Sequence, residues 1–376
     1  MERRSITPRH NWQEKVESLG FDFHTIDGSI YWDESAYYHF TASQVDELEQ
    51  ATEALQVMCD QAVASIIQES KYEGFGFSER DVSLIEKSYQ QKSPSLYGRF
   101  DLAYDGVHPP KMLEYNADTP TALFEASVIQ WEWLESLKLG VDQFNSIHEK
   151  LLEAWRNLIP SGAWLHLSGF LDNAEDYGTI AYLADTALQV TKKVKVIGLH
   201  DIGLKYGFFK KRFCDEDSIN IKYLFKLYPW EWMIKDEFAD YLLNSEMMIL
   251  EPAWRMILQN KNILAVLWEM FPDSPHLLPA YHSSSEFSSP FVAKPKWGRE
   301  GEYVTLYQPR SSVVLPEGAE ESDFIYQEWF NVPSYDGNFP TIGSWVIQGK
   351  SAGIGIREDL SPIVKQSSRF IPHCFS

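Results

Sequence analysis

The chain has 376 residues, of which 44% are hydrophobic, and its 54 acidic side chains outnumber 33 basic ones to give a formal net charge of −21. This length predicts two or three packed units, and the hydrophobic content excludes a disordered chain. The negative charge argues against nucleic acid or an anionic membrane as the main partner, and it favours cationic ligands such as amines, although plain solubility explains it equally well.

The cysteines and the N-terminus bear on the cellular compartment. Cys59, Cys214 and Cys374 are odd in number and far apart, so neither a disulfide framework nor a zinc site is indicated. The basic N-terminus lacks the apolar core of a signal peptide, and no apolar run approaches the length of a membrane span. We therefore expect a protein of the reducing cytoplasm that contacts neither membrane nor nucleic acid.

The first predicted elements are two helices followed by two strands. Apolar residues recur at helical spacing after the possible N-cap residues Thr41 and Ser43, and a shorter helix follows. Two runs of alternating polar and apolar residues are then joined by a segment rich in turn formers, which predicts a β-hairpin. The helices cover about 45–66 and 79–90, and the strands cover 96–104 and 111–116.

The hairpin carries the first candidate site. Residues two apart in a strand share a face, so Arg99 lies beside Asp101, and Glu114 lies beside Asn116. If the two faces coincide, a guanidinium, two carboxylates and an amide oxygen converge. Mg²⁺ takes oxygen ligands and arginine binds phosphate oxygens, so the set fits a magnesium-phosphate site. An ordinary salt bridge across an exposed hairpin fits the spacing equally well.

The middle of the chain alternates strands and helices, which predicts an α/β layer. Before it, one helix is predicted from Thr121 to near Gly140 and another over 146–158, with Asp118 and Thr119 as helix caps. No dinucleotide-binding glycine pattern or Walker pattern follows any of these strands. The predicted strands are 163–168, 194–199, 219–227 and 247–250, and the predicted helices are about 175–190 and 234–243.

The last third of the chain contains a second candidate for phosphate binding. A strand from Phe291 delivers Lys294 to a loop bracketed by Gly298 and Gly301, after which another strand begins. Such a loop can lay backbone amides against phosphates while the lysine supplies charge, although hairpin turns with glycine are common. Arg357 follows a predicted hairpin. The other predicted elements are a helix over 263–271, a strand over 324–330 and the hairpin over 342–356.

Five separated motifs occur in one order along the chain. They are Tyr97–Asp101, Leu113–Pro120, Glu251–Trp254 with Asn260 and Lys261, Ala293–Pro295, and Tyr326 with Gln327. Together they resemble the synthetase domain of glutathionylspermidine synthase, and they are most similar to stand-alone relatives without the amidase half. The resemblance covers about residue 15 to the C-terminus. It implies a mixed α/β chain with an ATP-grasp-like fold and a preceding α/β substrate-binding subdomain.

The resemblance also implies a division of one synthetase unit into three parts. Residues 1–160 would hold the N-terminal helices and the metal-site hairpin, 161–250 the pre-ATP-grasp subdomain, and 251–376 the nucleotide-binding part. Arg99 matches the catalytic arginine that contacts the transferred phosphoryl group, and Asp101, Glu114 and Asn116 match the magnesium ligands. The implied nucleotide-binding residues are Arg99, Phe100, Asp101, Lys261, Lys294, Glu300, Gly301, Gln327, Glu328, Trp329, Phe330, Arg357, Pro362, Ile363 and Val364.

The implied reaction is formation of an amide bond with ATP and Mg²⁺. ATP would phosphorylate a small carboxylate to an acyl phosphate, from which an amine displaces phosphate. Two alternatives stay open: a non-catalytic ATP-binding regulatory protein of the same fold, and an ATP-dependent phosphotransferase. A carboxylate such as glutathione and an amine such as a polyamine follow from the resemblance, whereas the sequence does not indicate the oligomeric state.

Substrate recognition has weaker support. Glu175 and Asp176 fall where the relative carries two glutamates associated with its polyamine, and adjacent carboxylates suit an ammonium group. They are equally compatible with the acidic first turn of a helix. The family pattern Trp-Ala-Trp-Glu-Thr matches at Glu231, but Trp232 stands where the family has threonine. The ATP half of the resemblance is therefore the better supported half.

Overall fold

Three sheets organise the residues that the computed structural model describes, which are 1–139, 141–206, 211–299 and 301–376. The first sheet has five antiparallel strands and joins distant parts of the chain. Both predicted hairpins are confirmed in this sheet. The two hairpins pair with each other through the central strands, and no local sequence pattern predicts that pairing. In spatial order the strands are Arg369–Ile371, Lys350–Asp359, Phe339–Ile347, Tyr97–Ala103 and Lys111–Asn116.

The second sheet is parallel and confirms the predicted α/β layer. The helix Ala174–Leu188 connects two of its strands. A hairpin of Gly203–Tyr206 with Lys211–Cys214 leaves the sheet and was not predicted, and the strand expected at 219–227 is shorter. The strands of the sheet, in spatial order, are Met248–Leu250, Tyr223–Leu227, Leu165–Gly169 and Val194–Gly198.

The helix predicted over 234–243 is wrong. One single helical turn, Trp230–Met233, ends just before this range, and another, Ala239–Leu242, lies within it. The buried residues Ile234, Ala239 and Leu242 supplied the helical spacing. Two separate turns bury these side chains as well as one continuous helix does, so apolar spacing alone could not distinguish the arrangements.

The third sheet is antiparallel and has an aromatic interior that includes Phe287, Phe291 and Tyr326. The strand after the glycine-bracketed loop begins only at Thr305. The predicted strand over 324–330 ends at Glu328. In spatial order the strands are Ala280–Tyr281, Phe324–Glu328, Phe291–Pro295 and Thr305–Tyr307.

The helices pack around these sheets largely as the sequence predicts. Ala42–Glu69 begins with a capping box between Thr41 and Gln44, and the helix buries one apolar stripe. The helix expected from Thr121 begins at Leu123, and it passes through a π-helical turn, Glu125–Ile129, before Gln130–Leu137. The other α-helices are Trp12–Glu17, Glu79–Gln90, Ile147–Leu158, Met256–Gln259 and Ile263–Met270.

Small elements complete the fold. A three-stranded sheet joins the two ends of the chain, and short 3₁₀ turns connect larger elements. Its strands are Glu2–Ser5, Ala36–Phe40 and His373–Phe375, beside a ribbon of Thr25–Ile26 and Ser29–Ile30; the 3₁₀ turns are Leu199–Asp201, Ala253–Arg255, Ser284–Glu286 and Glu321–Asp323. Within the described ranges, no helix has both the length and the apolar composition needed to cross a lipid bilayer.

Candidate functional site

The register of the first hairpin makes its two polar faces coincide. Arg99 is opposite Asn116, and Asp101 is opposite Glu114. Arg99 donates through Nε and Nη2 to the two carboxylate oxygens of Asp101, at 2.7 and 3.0 Å. The amide nitrogen of Asn116 donates to Asp101 and Glu114 at 3.1 and 3.3 Å. The four groups that the sequence suggested as one set therefore lie together.

Two lysines lie beside this hairpin. Lys261 Nζ is 3.2 Å from a carboxylate oxygen of Glu114 and donates to the carbonyl of Gly298 at 2.7 Å. Lys294 Nζ donates to the carbonyl of Leu113 at 2.8 Å and to the side-chain oxygen of Gln327 at 2.7 Å. The helix-forming segment after Asn260 and the strand Phe291–Pro295 thus bring two ammonium groups to one point.

The charges of this group are strongly coupled. Burial raises the pKa of Glu114, but Lys261, Lys294 and Arg99 outweigh burial and hold that pKa at about 2. Burial also raises the pKa of Asp101, and Arg99 only partly opposes it. For Lys294, burial lowers the pKa to about 8, although the charge of Glu114 pulls it upward. At neutral pH the site therefore holds an ionised Glu114 and a Lys294 that gives up its proton readily.

The four hairpin side chains and Lys294 line one end of a cleft. Its other end is lined by the segment after the strand Phe324–Glu328 and by 362–364. Most residues that the sequence proposed for nucleotide and metal binding face this one space. They are Arg99, Asp101, Glu114, Asn116, Lys294, Gly301, Gln327, Glu328, Trp329, Phe330, Arg357, Pro362, Ile363 and Val364.

Positive charge exceeds negative charge at the hairpin end of the cleft. The carboxylates there are those of Asp101 and Glu114, and Arg357 donates to three backbone carbonyls rather than to a carboxylate. An excess of cations suits a polyphosphate ligand. The cations that line this end are Arg99, Lys294 and Arg357, and Lys261 adds a fourth charge beside Glu114 without lining the cleft.

Gly301 brings the glycine-bracketed loop against the opposite wall of the cleft. Its φ angle is +69°, and a Cβ atom there would lie 2.2 Å from the carbonyl oxygen of Val364 and 3.2 Å from a methyl carbon of Ile363. Only glycine permits both this backbone conformation and this approach. The backbone at Gly301 therefore packs directly against Ile363 and Val364 of the cleft wall.

Other proposed residues do not line the cleft. Lys261 lies behind Glu114, and Phe100 turns to the opposite face of its strand, where its ring stacks on Tyr115 at 3.8 Å. Only backbone atoms of Phe100 remain available to a nucleotide. Glu300, proposed for nucleotide binding, lies outside the described residues.

The proposed substrate residues also lie outside the cleft lining. Glu175 and Asp176 occupy the first turn of the helix Ala174–Leu188, as one of the two sequence interpretations predicted. Glu231 forms an ion pair with Arg299, from its Oε1 to Nη2 at 2.9 Å, and Arg299 does line the cleft. The three acids are therefore not brought together with the hairpin carboxylates.

Asp118 does not cap the helix that follows Pro120, so that interpretation is wrong. Its fully buried carboxylate accepts from Lys226 Nζ at 2.6 Å and from the backbone nitrogen of Trp230 at 2.8 Å. Local spacing suggested a cap because both partners lie more than 100 residues further along the chain. The neighbouring Thr119 lines the cleft instead.

Sequence reasoning missed several other residues of the cleft wall. Arg299 had a usable signal, because it stands between the two glycines of the loop. Gln259 had none, since its side-chain oxygen accepts from the backbone nitrogens of Ala117 and Asp118 only in the folded chain. The wall also includes Thr119, Thr121, Val292, Val304 and Thr341.

The donor atoms fit Mg²⁺ better than a transition metal. Among the described residues, no group of three or more histidine, cysteine, aspartate or glutamate side chains could hold an ion. Asp101 and Glu114 offer two carboxylates, and Asn116 offers an amide oxygen. Mg²⁺ is usually bound by one or two carboxylates and completes its octahedron with water and substrate phosphates. The set therefore fits a metal that arrives with a nucleotide.

Comparisons with known proteins agree with this geometry. The family described as "Glutathionylspermidine synthase preATP-grasp" matches residues 3–376. A Haemophilus influenzae protein with the provisional name acid–amine ligase is 41% identical over 98% of this chain and 97% of its own length. Trypanothione synthetase of Crithidia fasciculata is 30% identical over 76% of this chain, which spans 48% of that enzyme.

Two further likenesses concern function and fold. Bifunctional glutathionylspermidine synthetase/amidase of Escherichia coli is 24% identical over 96% of this chain and 63% of its own length. The apo structure of a glutathione synthetase-like effector from Globodera pallida has a TM-score of 0.61 at 12% identity, and it covers 97% of this chain and 96% of that one. The expected mixed α/β fold of the ATP-grasp type is thereby confirmed.

Proposed function

Because the chain belongs to the glutathionylspermidine synthase preATP-grasp family, we propose that it is a carboxylate–amine ligase that uses ATP and Mg²⁺. One observation carries this proposal. The side chains of Arg99, Asp101, Glu114 and Asn116 converge at the end of a cleft where two lysines add positive charge. An ordinary salt bridge across a hairpin, which was the alternative interpretation, would not explain the excess of positive charge.

The cleft has a polar end and a more apolar end, as a nucleotide requires. The triphosphate would lie against the hairpin and the two lysines. The adenine ring would lie between 327–330 and 362–364, where Phe330, Ile363 and Val364 offer apolar surface. Gly301 would bring the loop close to the phosphates.

Arg99 would act on the transferred phosphoryl group. Asp101 and the carbonyl of Thr121 hold three of its five N–H donors, so two donors remain for phosphoryl oxygens. Both partners fix the guanidinium before a ligand arrives, and such preorganised charge is effective in stabilising a transition state. Bound between Asp101, Glu114 and Asn116, Mg²⁺ would neutralise charge on the phosphates.

The proposed reaction has two balanced steps. A carboxylate oxygen of the acid attacks the terminal phosphorus of ATP, and ADP leaves with the electron pair of the broken bond. A neutral amine then attacks the acyl carbon, inorganic phosphate leaves, and the amine nitrogen loses a proton. Lys261 and Lys294 would neutralise charge on the leaving nucleotide.

The substrates and the division of the chain belong to the same proposal. The names of the relatives suggest a peptide acid such as glutathione and an amine such as a polyamine. We keep the three subdomains 1–160, 161–250 and 251–376, with the qualification that the five-stranded sheet draws strands from the first and the last. Free, buried cysteines accord with a reducing cytoplasm.

The test is release of ADP from MgATP across a panel of acids and amines. Release that requires both an acid and an amine supports the ligase. Tight nucleotide binding without turnover on any pair favours a regulatory protein, and a stable phosphorylated product without an amine favours a phosphotransferase. With an active pair, an ¹⁸O label in the carboxylate should appear in inorganic phosphate, as an acyl phosphate requires. Arg99→Ala should slow release by about a hundredfold or more, whereas Arg310→Ala, at an exposed arginine, should not slow it.

A further inference from the structure

Arg299 belongs to the cleft lining, and its guanidinium lies in a small cradle formed by Glu231 and Trp232. Its Nη2 atom is 2.9 Å from Glu231 Oε1, and its guanidinium carbon lies 5.0 Å from the ring centre of Trp232. A carboxylate and the face of an indole are the two groups that together favour a cation. The cradle of Glu231 and Trp232 is therefore a cation site that a group of the chain itself occupies.

The cradle has bonding capacity that Arg299 leaves unused. Glu231 Oε2 is buried and has no hydrogen-bond partner among the described residues. A buried carboxylate oxygen without a donor is costly, so a cation with suitably placed N–H groups would be better accommodated than the present one. Arg299 keeps 34% of its side chain exposed, and such partly exposed pairs contribute little. Replacement of Arg299 by another cation in the cradle therefore costs little free energy.

The surroundings of the cradle favour a ligand rather than a purely internal contact. Phe170 and Tyr228 directly follow the carboxyl ends of two strands of the parallel sheet, the edge at which α/β layers bind ligands. Their rings lie 6.2 and 6.0 Å from that of Trp232. Trp232 and Phe170 remain 45% and 39% exposed. The Trp232 ring that faces the cation thus belongs to a cluster of three aromatic rings, two of which are partly exposed.

We propose that Glu231 and Trp232 form a subsite for a cationic group of the substrate, and that this ammonium or guanidinium group displaces Arg299 from the subsite. The displaced side chain then becomes free to interact with ligands in the cleft, whose lining includes Arg299. This inference rests on the proposed ligase function, because it assigns part of that reaction's substrate to the cradle. Trp232, where the family pattern has threonine, supplies the ring face.

Trypsin provides a direct test, because it cleaves after arginine only when the side chain leaves its partners. Glu231→Gln should raise the rate of cleavage after Arg299 about tenfold, since a neutral amide holds a guanidinium less strongly. The matched control is Glu302→Gln, which removes one charge from the same loop at an exposed position outside the cradle. Cleavage after the exposed Arg310 serves as an internal standard for protease activity.

Cationic probes then distinguish a substrate subsite from an internal latch. Putrescine, spermidine and agmatine, each with and without MgADP, should accelerate cleavage after Arg299 severalfold in the wild type, and 1,4-butanediol at matched ionic strength should not. The probes should have no further effect in Glu231→Gln, and Trp232→Thr should raise their half-maximal concentration at least fivefold.

Two results would overturn the inference. If none of the cationic probes changes cleavage of the wild type while Glu231→Gln does, the pair is an internal latch. If Glu231→Gln behaves like Glu302→Gln, the carboxylate does not hold Arg299. Neither result requires turnover, so failure of the ligase assay and failure of the subsite are separate outcomes.

Discussion

Raising the pH above 8 should weaken nucleotide binding through Lys294. This side chain is 7% exposed, and its two hydrogen-bond acceptors, the carbonyl of Leu113 and Gln327, are uncharged. Burial lowers its pKa to about 8, although Glu114 opposes the shift. A bound diphosphate favours the charged ammonium, so the pKa of Lys294 in the complex must lie above that of the free protein.

The sign and the size of the effect follow from this difference. Below pH 8 Lys294 carries its proton both with and without nucleotide, so affinity does not change. As the pH rises through 8, the free protein loses that proton and binding must restore it, which weakens affinity up to about tenfold per pH unit. Between pH 7.5 and pH 9 the dissociation constant of MgADP should therefore rise about eightfold.

Isothermal titration calorimetry with MgADP at several pH values measures this change in the dissociation constant directly. Lys294→Met should bind more weakly at pH 7.5 and show no slope up to pH 9. Lys296→Met is the matched control, because Lys296 is 8% exposed and burial also lowers its pKa, yet it does not line the cleft. A flat profile for the wild type, or a slope that persists in Lys294→Met, would refute the role given to Lys294.

Three further substitutions test other parts of the site. Arg99→Ala should slow steady-state ADP release by about a hundredfold or more, because it removes a preorganised donor worth roughly 3–4 kcal/mol, and turnover within a few fold of wild type would exclude that role. Asp118→Ala should lower the free energy of unfolding in urea by about 3–5 kcal/mol, since it leaves Lys226 buried and unpaired, and a loss below about 1 kcal/mol would contradict this. Gly301→Ala should weaken MgADP binding, whereas Gly318→Ala, which has a similar positive φ but open space around its Cβ, should not; equal effects would contradict the close approach.

Helices and hairpins were predictable where apolar periodicity, capping residues and turn formers within a few positions determine them. The helix Ala42–Glu69 has a repeating apolar stripe and a capping box, and the strands Tyr97–Ala103 and Lys111–Asn116 alternate in polarity around a turn. The shared face of Arg99 and Asp101 follows from the two-residue period of a strand. These features depend on residues within a few positions of one another.

The unpredicted features depend on contacts between distant residues. The strand Phe339–Ile347 pairs with Tyr97–Ala103, although more than 200 residues separate them in the sequence. Neither strand contains a local sequence pattern that identifies its partner. Arg299 and Glu231 are 68 residues apart in the sequence and form their pair only in the folded chain. For the same reason Asp118 suggested a helix cap, although folding provides it with a buried lysine.

The burial of Asp118 connects the fold to the chemistry of the site. Its ion pair with Lys226 fixes the segment that follows the strand Lys111–Asn116 against the parallel sheet. Three residues later, the carbonyl of Thr121 accepts from Arg99. A displacement of this segment would therefore move a group that orients the guanidinium of Arg99.

The same carboxylate also reaches the cradle. Its second oxygen accepts from the backbone nitrogen of Trp230, the first residue of the turn that carries Glu231 and Trp232. One buried side chain thus positions both the hairpin that would bind phosphate and the turn that holds Arg299. Substitutions that share such an anchor do not act independently. The effects of changing Asp118 and Glu231 on turnover should therefore combine non-additively, whereas the loss of stability should come from Asp118 alone.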